Sequence, residues 1–148
     1  QDKKEIFKTL IKGRTVYGGG GITPDIYMPL DTSMLNPFVG EVYGLSLLQE
    51  FAYNYYAANK NTFTKYTTAA QFSTQYTIDA ALYAQFVKYC MEHGVSKSTA
   101  PFTEKSRVYL SNKLKAFLAK QSFKSDGFYS IAAQEDKMIQ RAILELNK

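Results

Sequence analysis

A run of four consecutive glycines, Gly18–Gly21, constrains the fold of this chain more than any other feature. It stands between the β-prone pair Val16-Tyr17 and the rigid step Pro24-Asp25. Because glycine reaches positive φ and lets another backbone come close, the run predicts a bend that side chains could not follow. The residues assigned to this structural motif are Gly18, Gly19, Gly20, Gly21, Pro24 and Asp25. We expect it to join two short extended segments, Thr15–Tyr17 and Ile26–Met28.

The glycine run does not have the surroundings of a phosphate-binding loop. Such a loop needs a helix N-terminus after the glycines, or a lysine followed by Ser or Thr at fixed spacing. Here Ile22-Thr23-Pro24 follows, and the path stays extended because proline disfavours helix in the residue before it. No nucleotide or other cofactor is assigned.

Composition limits the class of protein. The chain has 148 residues, 45% hydrophobic and 21% charged, which is typical of a folded domain with a real core. The net charge is +5 with scattered lysines, which favours solvated surface over a nucleic-acid footprint. No apolar run approaches the ~20 residues that a membrane span needs. The single cysteine excludes an internal disulfide, and the start at Gln1, without Met, is interpreted as a cut inside a longer protein.

Apolar residues recur three or four apart after residue 35 and predict helices. The first predicted helix has Asn36 as its N-cap and Pro37 at its first position, ends at about Asn59 and has a weak point at Gly44. The second runs from Thr68, which has capping-box spacing to Gln71, to about Thr74, and the third runs from Thr77 to a C-cap at Gly94. Two more are predicted from Thr103 to about Gln121 and from about Gln134 to Leu146. Between the last two, Lys124–Gly127 is predicted as a turn and Phe128–Ile131 as an extended link.

The predicted fold is therefore mainly α, a bundle of four to five helices preceded by a short glycine-rich strand-turn-strand segment. We divide the chain into residues 1–35, the glycine-rich segment, and residues 36–148, the helical domain.

Few residues have the chemistry of a site. Cys90 and His93 lie three apart and could share a helix face, but zinc needs three or four ligands, so a buried cysteine and a helix-terminal histidine are preferred. One histidine also disfavours a self-contained Ser-His-Asp or Cys-His site. Glu135 and Asp136 are adjacent and do not face each other on a helix. No catalytic, cofactor-binding or metal-binding residue is assigned.

Aromatic residues cluster at Phe51, Tyr53, Tyr55 and Tyr56. Such rings can stack on bases or sugars. An amphipathic helix whose tyrosines straddle core and rim is the preferred interpretation, and tyrosine-rich helices also suit contacts with an upstream domain or a second subunit.

The stretch Gly13–Ile26 resembles the end of the catalytic domain in C-terminal processing (tail-specific) serine peptidases, in the form found in Bacteroidetes-type bacteria. Family members carry a glycine-rich Gly-Ile-x-Pro-Asp segment near that boundary. Leu114–Gln121, Asp126–Tyr129, the pair Glu135-Asp136 and the closing helix resemble the C-terminal helical extension of the same proteins. The resemblance covers nearly the whole chain.

The resemblance implies a parent protein that hydrolyses peptide bonds near protein C-termini with a serine nucleophile and a lysine general base. Both family motifs lie upstream of the glycine-rich segment, so no catalytic residue is carried over to this chain. The implied partners are the upstream catalytic domain, protein or peptide substrates of the parent, and a second copy in a homo-oligomer. The implied location is the cell envelope or periplasm of a bacterium.

Two alternatives stay open beside this expectation. The first is an independent helical module for protein binding or oligomerisation. The second is nucleic-acid binding through the lysines and tyrosines, which a failure to bind single-stranded oligonucleotides at any salt concentration would exclude.

Overall fold

A computed structural model of the chain describes residues 5–18, 24, 26–96 and 103–147. It divides the chain into two compact units, Gln1–Leu30 and Asp31–Lys148. The predicted fold class is confirmed, since the described residues form a short two-stranded sheet followed by seven helices. Gly19–Gly21 and Asp25, with the turn predicted through them, lie outside the described residues.

The first unit contains an antiparallel hairpin of β1 (Ile6–Lys8) and β2 (Thr15–Tyr17). The predicted extended segment Thr15–Tyr17 is confirmed, but Ile26–Met28 forms no strand, so that expectation is wrong. The turn of the hairpin lies between β1 and β2, before β2 in the chain, and the glycine run follows β2. In this turn Gly13 takes a positive φ of +59° and its N–H donates to the Thr9 carbonyl at 3.0 Å. A local turn with a left-handed glycine brings nearby strands together at low entropic cost.

The helical unit begins with α1 (Pro37–Gly44), α2 (Leu47–Ala58) and the single turn α3 (Lys60–Phe63). The predicted cap is confirmed, because the Asn36 side chain accepts from the Val39 N–H at 2.9 Å. One continuous helix to Asn59 is wrong. The helix breaks just after the predicted weak point, where Ser46 has a left-handed φ of 57°.

Two further helices follow, α4 (Ala69–Gln75) and α5 (Ala80–Glu92). Thr68 caps α4 as predicted. Thr77 as the cap of α5 is wrong: Asp79 takes that position and accepts from the Leu82 N–H at 2.7 Å. A carboxylate also complements the positive end of the helix dipole.

The predicted C-cap of α5 is confirmed. Gly94 has a φ of +99°, and the Val95 N–H donates to the Cys90 carbonyl at 3.1 Å, which is the hydrogen bond of a Schellman motif. The glycine is needed here because the left-handed conformation strains other residues.

The element α6 (Glu104–Glu135) is two helical arms, 104–123 and 125–135, separated by Lys124 with φ 54° and ψ −141°. The Asn112 amide donates to the Glu135 carboxylate although the two residues are 23 apart, a separation that spans about 35 Å in a straight helix. The arms are therefore antiparallel. Of the turn predicted over Lys124–Gly127, the chain reversal at Lys124 is confirmed, but Ser125–Gly127 are helical. The extended link Phe128–Ile131 is wrong because these residues also lie in the second arm.

The last helix, α7 (Lys137–Leu146), begins three residues later than predicted. Asp136 is its N-cap and accepts from the N–H groups of Met138 and Ile139 at 2.9 and 3.1 Å. Gln134 lies in the second arm of α6, and the Asp136 carboxylate satisfies two of the N–H groups at the start of α7.

The core lies within the helical unit and is rich in aromatic side chains. Its largest fully buried members are Phe38, Phe72, Phe86, Leu110, Leu114 and Leu118. Rings from α2, α3, α4 and α5 pack edge-to-face or stacked at centroid distances of 4.6–6.3 Å. Within the described parts of the chain, no helix is both long and apolar enough to cross a membrane.

Candidate interaction surface

The residues considered as metal ligands are engaged in structural contacts. Cys90 is fully buried, and desolvation raises the pKa of its thiol to about 12. The His93 ring stacks on Tyr89 at 3.8 Å, and His93 Nδ1 lies 2.8 Å from the Tyr89 carbonyl oxygen. Among the described residues, no group of three or more Cys, His, Asp or Glu side chains is placed to hold a metal ion.

The aromatic cluster of α2 is divided between the core and the surface. Phe51 is buried and meets the rings of Phe86 and Tyr89 edge-on, each at 5.3 Å. Tyr56 packs on Phe63 at 5.0 Å, whereas Tyr53 is 63% exposed. These side chains do not form one open stacking platform, so the amphipathic interpretation describes this helix.

A serine and a lysine meet between α4 and the two arms of α6. Lys115 Nζ donates to the Ser73 carbonyl at 2.6 Å, and the Ser73 hydroxyl is held by the Gln134 amide at 2.9 Å. Burial lowers the pKa of Lys115. Because the ammonium bonds to the backbone oxygen, this contact joins α4 to α6 and does not align a general base with a hydroxyl.

Ser106 links the starts of two helices, a role the sequence analysis missed. Its buried hydroxyl accepts from the Asn36 amide at 2.9 Å, donates to the Met34 carbonyl at 2.8 Å and lies 2.7 Å from Thr103 Oγ1. Asn36 and Thr103 are the N-caps of α1 and α6. These hydrogen bonds therefore fix the start of α1 relative to the start of α6.

Charged contacts hold the segment that leads into α1, residues 31–36, which is called the connector. Asp31 pairs with Lys137 at 2.7 Å and accepts from Ser33 Oγ at 2.6 Å, and Lys105 Nζ donates to the same Ser33 oxygen at 3.2 Å. The hydrogen bond from the Lys137 ammonium is the largest cause holding the pKa of the Asp31 carboxyl well below its usual range. The first residue of the unit is thus tied to the first residue of α7.

Helix α7 displays apolar side chains but buries none of its residues. Its side chains reach the rest of the helical unit through polar contacts: Lys137 with Asp31, and the Gln140 amide with the Ala133 carbonyl at 3.0 Å. At about 100° per residue, five of its side chains share an arc of about 140°. This set, called the α7 stripe, consists of Met138, Ile139, Ala142, Ile143 and Leu146.

The exposure of the α7 stripe is unusual for side chains of this size. Ile139, Ile143 and Leu146 are 41%, 47% and 85% exposed. A contiguous apolar surface of this kind marks an interaction site more often than isolated exposed residues do. The stripe is therefore the candidate interaction surface of the helical unit.

The hairpin in the first unit also exposes apolar side chains on both faces. Successive residues of a strand alternate between faces, so the pair Phe7 and Val16 lies on one face and the pair Ile6 and Tyr17 on the other. Their exposed fractions range from 43% for Val16 to 66% for Ile6. A two-stranded ribbon is marginal alone and gains stability when strands or other elements cover it.

These features define a helical domain preceded along the chain by a short β hairpin. A family described as being of unknown function, DUF8443, matches residues 38–124. That range exceeds half of the 148 residues, so the chain belongs to this family. The match runs from α1 to the turn of α6, and α7 lies beyond it. No curated protein and no solved structure matched the chain.

Proposed function

We propose that this chain is the C-terminal, non-catalytic portion of a tail-specific serine endopeptidase. In this proposal the helical unit packs against the catalytic domain or mediates assembly, and chemistry takes place upstream. The motif Gly13–Ile26 supports the assignment by its resemblance to the end of such a catalytic domain. The observation that best supports this proposal is the hairpin, because strands with two apolar faces suit the interior of a larger sheet.

The chemistry proposed for the whole protein is hydrolysis of peptide bonds near protein C-termini. A serine hydroxyl attacks the carbonyl and a lysine amine takes its proton, which requires a lysine with a depressed pKa. The Ser73–Lys115 contact does not supply this arrangement, because the lysine bonds to a carbonyl and the hydroxyl to Gln134. The proposed setting is the envelope or periplasm of a bacterium.

Activity measurements on two forms of the protein test this proposal. The 148-residue chain is incubated with unstructured peptides and with a serine-directed probe, and neither turnover nor labelling is expected. The whole protein with its upstream segment is expected to show both. Turnover by the isolated chain, or a whole protein that lacks both activities, would contradict the proposal.

An independent helical binding module is the second candidate. The exposed α7 stripe and a family match confined to residues 38–124 favour it. This candidate predicts a helical unit that folds alone and a partner unrelated to proteolysis. The sequence upstream of Gln1 separates the two, since the peptidase needs a serine and a lysine in family-like contexts there.

A further inference from the structure

We propose that the α7 stripe docks the helical unit into an apolar groove on the upstream peptidase domain of the same polypeptide. The inference rests on the proposed function and identifies the element that makes the contact. Its starting point is a helix that buries none of its residues while presenting Met138, Ile139 and Ile143 on one face.

The location of α7 favours a partner in the same polypeptide. Lys137, the first residue of α7, pairs at 2.7 Å with Asp31, the first residue of the helical unit. The start of the stripe therefore lies where the chain enters this unit. A domain attached through that connector is held near the stripe at an effective concentration in the millimolar range.

The size of the stripe argues against a second copy as the occupant. A helix of 10 residues is about 15 Å long and about 10 Å across, so one face offers a few hundred Å² at most. A stable complex between separate proteins needs roughly 800 Å² from each partner. A tethered domain needs less area, because the linkage has already removed most of the translational freedom.

The charges beside the stripe argue against an anionic membrane or an acidic partner. Lys137 is paired with Asp31, and Arg141 with Glu145 at 2.7 Å. An amphipathic helix that binds acidic lipid uses its basic side chains to contact the lipid headgroups, whereas Lys137 and Arg141 contact carboxylates of this protein. Apolar contact is therefore the main recognition that α7 offers.

Hydrogen exchange of α7 tests the proposal in the whole protein and in the 148-residue chain. We expect the α7 amides to exchange at least about tenfold more slowly in the whole protein, because docking suppresses local opening. The double variant Ile139→Gln/Ile143→Gln is expected to remove this protection. The matched control is Leu144→Gln, which changes an exposed leucine outside the stripe and should keep it.

Three outcomes would overturn the inference. The first is an equal rate of hydrogen exchange of the α7 amides in the two proteins. The second is a concentration-dependent dimer of the 148-residue chain that the double variant abolishes. The third is binding to vesicles of phosphatidylcholine and phosphatidylglycerol that the double variant also abolishes. Circular dichroism of the double variant shows whether α7 remains helical, and Ile139→Met/Ile143→Met, which keeps the stripe apolar, should retain protection. If the whole protein has peptidase activity but its α7 amides are not protected from exchange, the docking proposal is contradicted and the proposed function is not. If the α7 amides are protected but the whole protein has no peptidase activity, the proposed function is contradicted and the docking of α7 onto the upstream domain is not.

Discussion

Gly127 in the second arm of α6 lies directly against the backbone of Ala119 in the first arm. A Cβ atom on Gly127 would stand 2.5 Å from the Ala119 carbonyl oxygen and 2.8 Å from the Phe123 Cβ. The Phe117 and Phe128 rings pack across the same turn at 5.1 Å. The antiparallel arrangement of the two arms thus depends on a residue without a side chain.

Gly127→Ala is expected to destabilise the protein by about 1–3 kcal/mol, because the methyl group meets backbone that cannot move aside. Urea unfolding followed by circular dichroism measures the change. Gly40→Ala is the control, since a Cβ at that position would meet nothing within 4 Å and alanine is the better helix former by up to about 1 kcal/mol. Equal effects of the two substitutions would contradict the close approach of the arms.

Ser106→Ala is expected to cost about 1–3 kcal/mol, because it leaves the Asn36 amide and the Met34 carbonyl without their buried partner. The free energy of unfolding is the readout. Thr74→Ala serves as the control: its hydroxyl is exposed and bonds to carbonyls of its own helix, so a change within about 0.5 kcal/mol is expected. A neutral Ser106→Ala would show that the two caps are independent.

The Asp31–Lys137 pair makes stability depend on pH in acid. The pKa of Asp31 is lowered in the folded state, so its contribution is fully present above its unfolded value of about 3.9 and is lost as the pH falls towards the folded value. Asp31→Asn should lower the unfolding midpoint at neutral pH and should make no difference in strong acid. Glu92→Gln, which breaks an exposed pair within one helix, should have a smaller effect.

An NMR titration of the Asp31 carboxyl provides the direct measurement for this pair. Its midpoint should lie below that of an ordinary aspartate and should return towards it in the Lys137→Met variant. An unchanged midpoint in that variant would mean that the ion pair does not form in solution.

Cys90 is expected to resist thiol reagents in the native protein. The thiol is fully buried and its pKa is raised to about 12, so little thiolate exists near pH 8 and access is blocked. Because it is the single cysteine of the chain, the absorbance of a disulfide reagent reports on it alone. Complete reaction on mixing is expected in denaturant, and the same rate without denaturant would contradict the burial.

Local chemistry explains which predictions from sequence are confirmed. Asn36, Thr68 and Thr103 cap helices because each side chain accepts from the N–H three residues ahead, a contact that depends on nearby residues alone. Thr77 fails for a reason that spacing does not show. The helix starts two residues later, at Ala80, where Asp79 accepts from the Leu82 N–H, and Ile78 is left buried just before the helix.

The sequence by itself determined the class of fold, the N-caps of three helices (α1, α4 and α6), the glycine that ends α5 and the chain reversal at Lys124, since periodicity, capping and turn residues act over a few positions. The tertiary structure alone decided that the turn folds α6 into antiparallel arms, that Ser106 joins two caps and that the α7 stripe is left uncovered. These features depend on contacts such as Asn112 with Glu135, made between residues distant along the chain. Such contacts form only when the whole core packs.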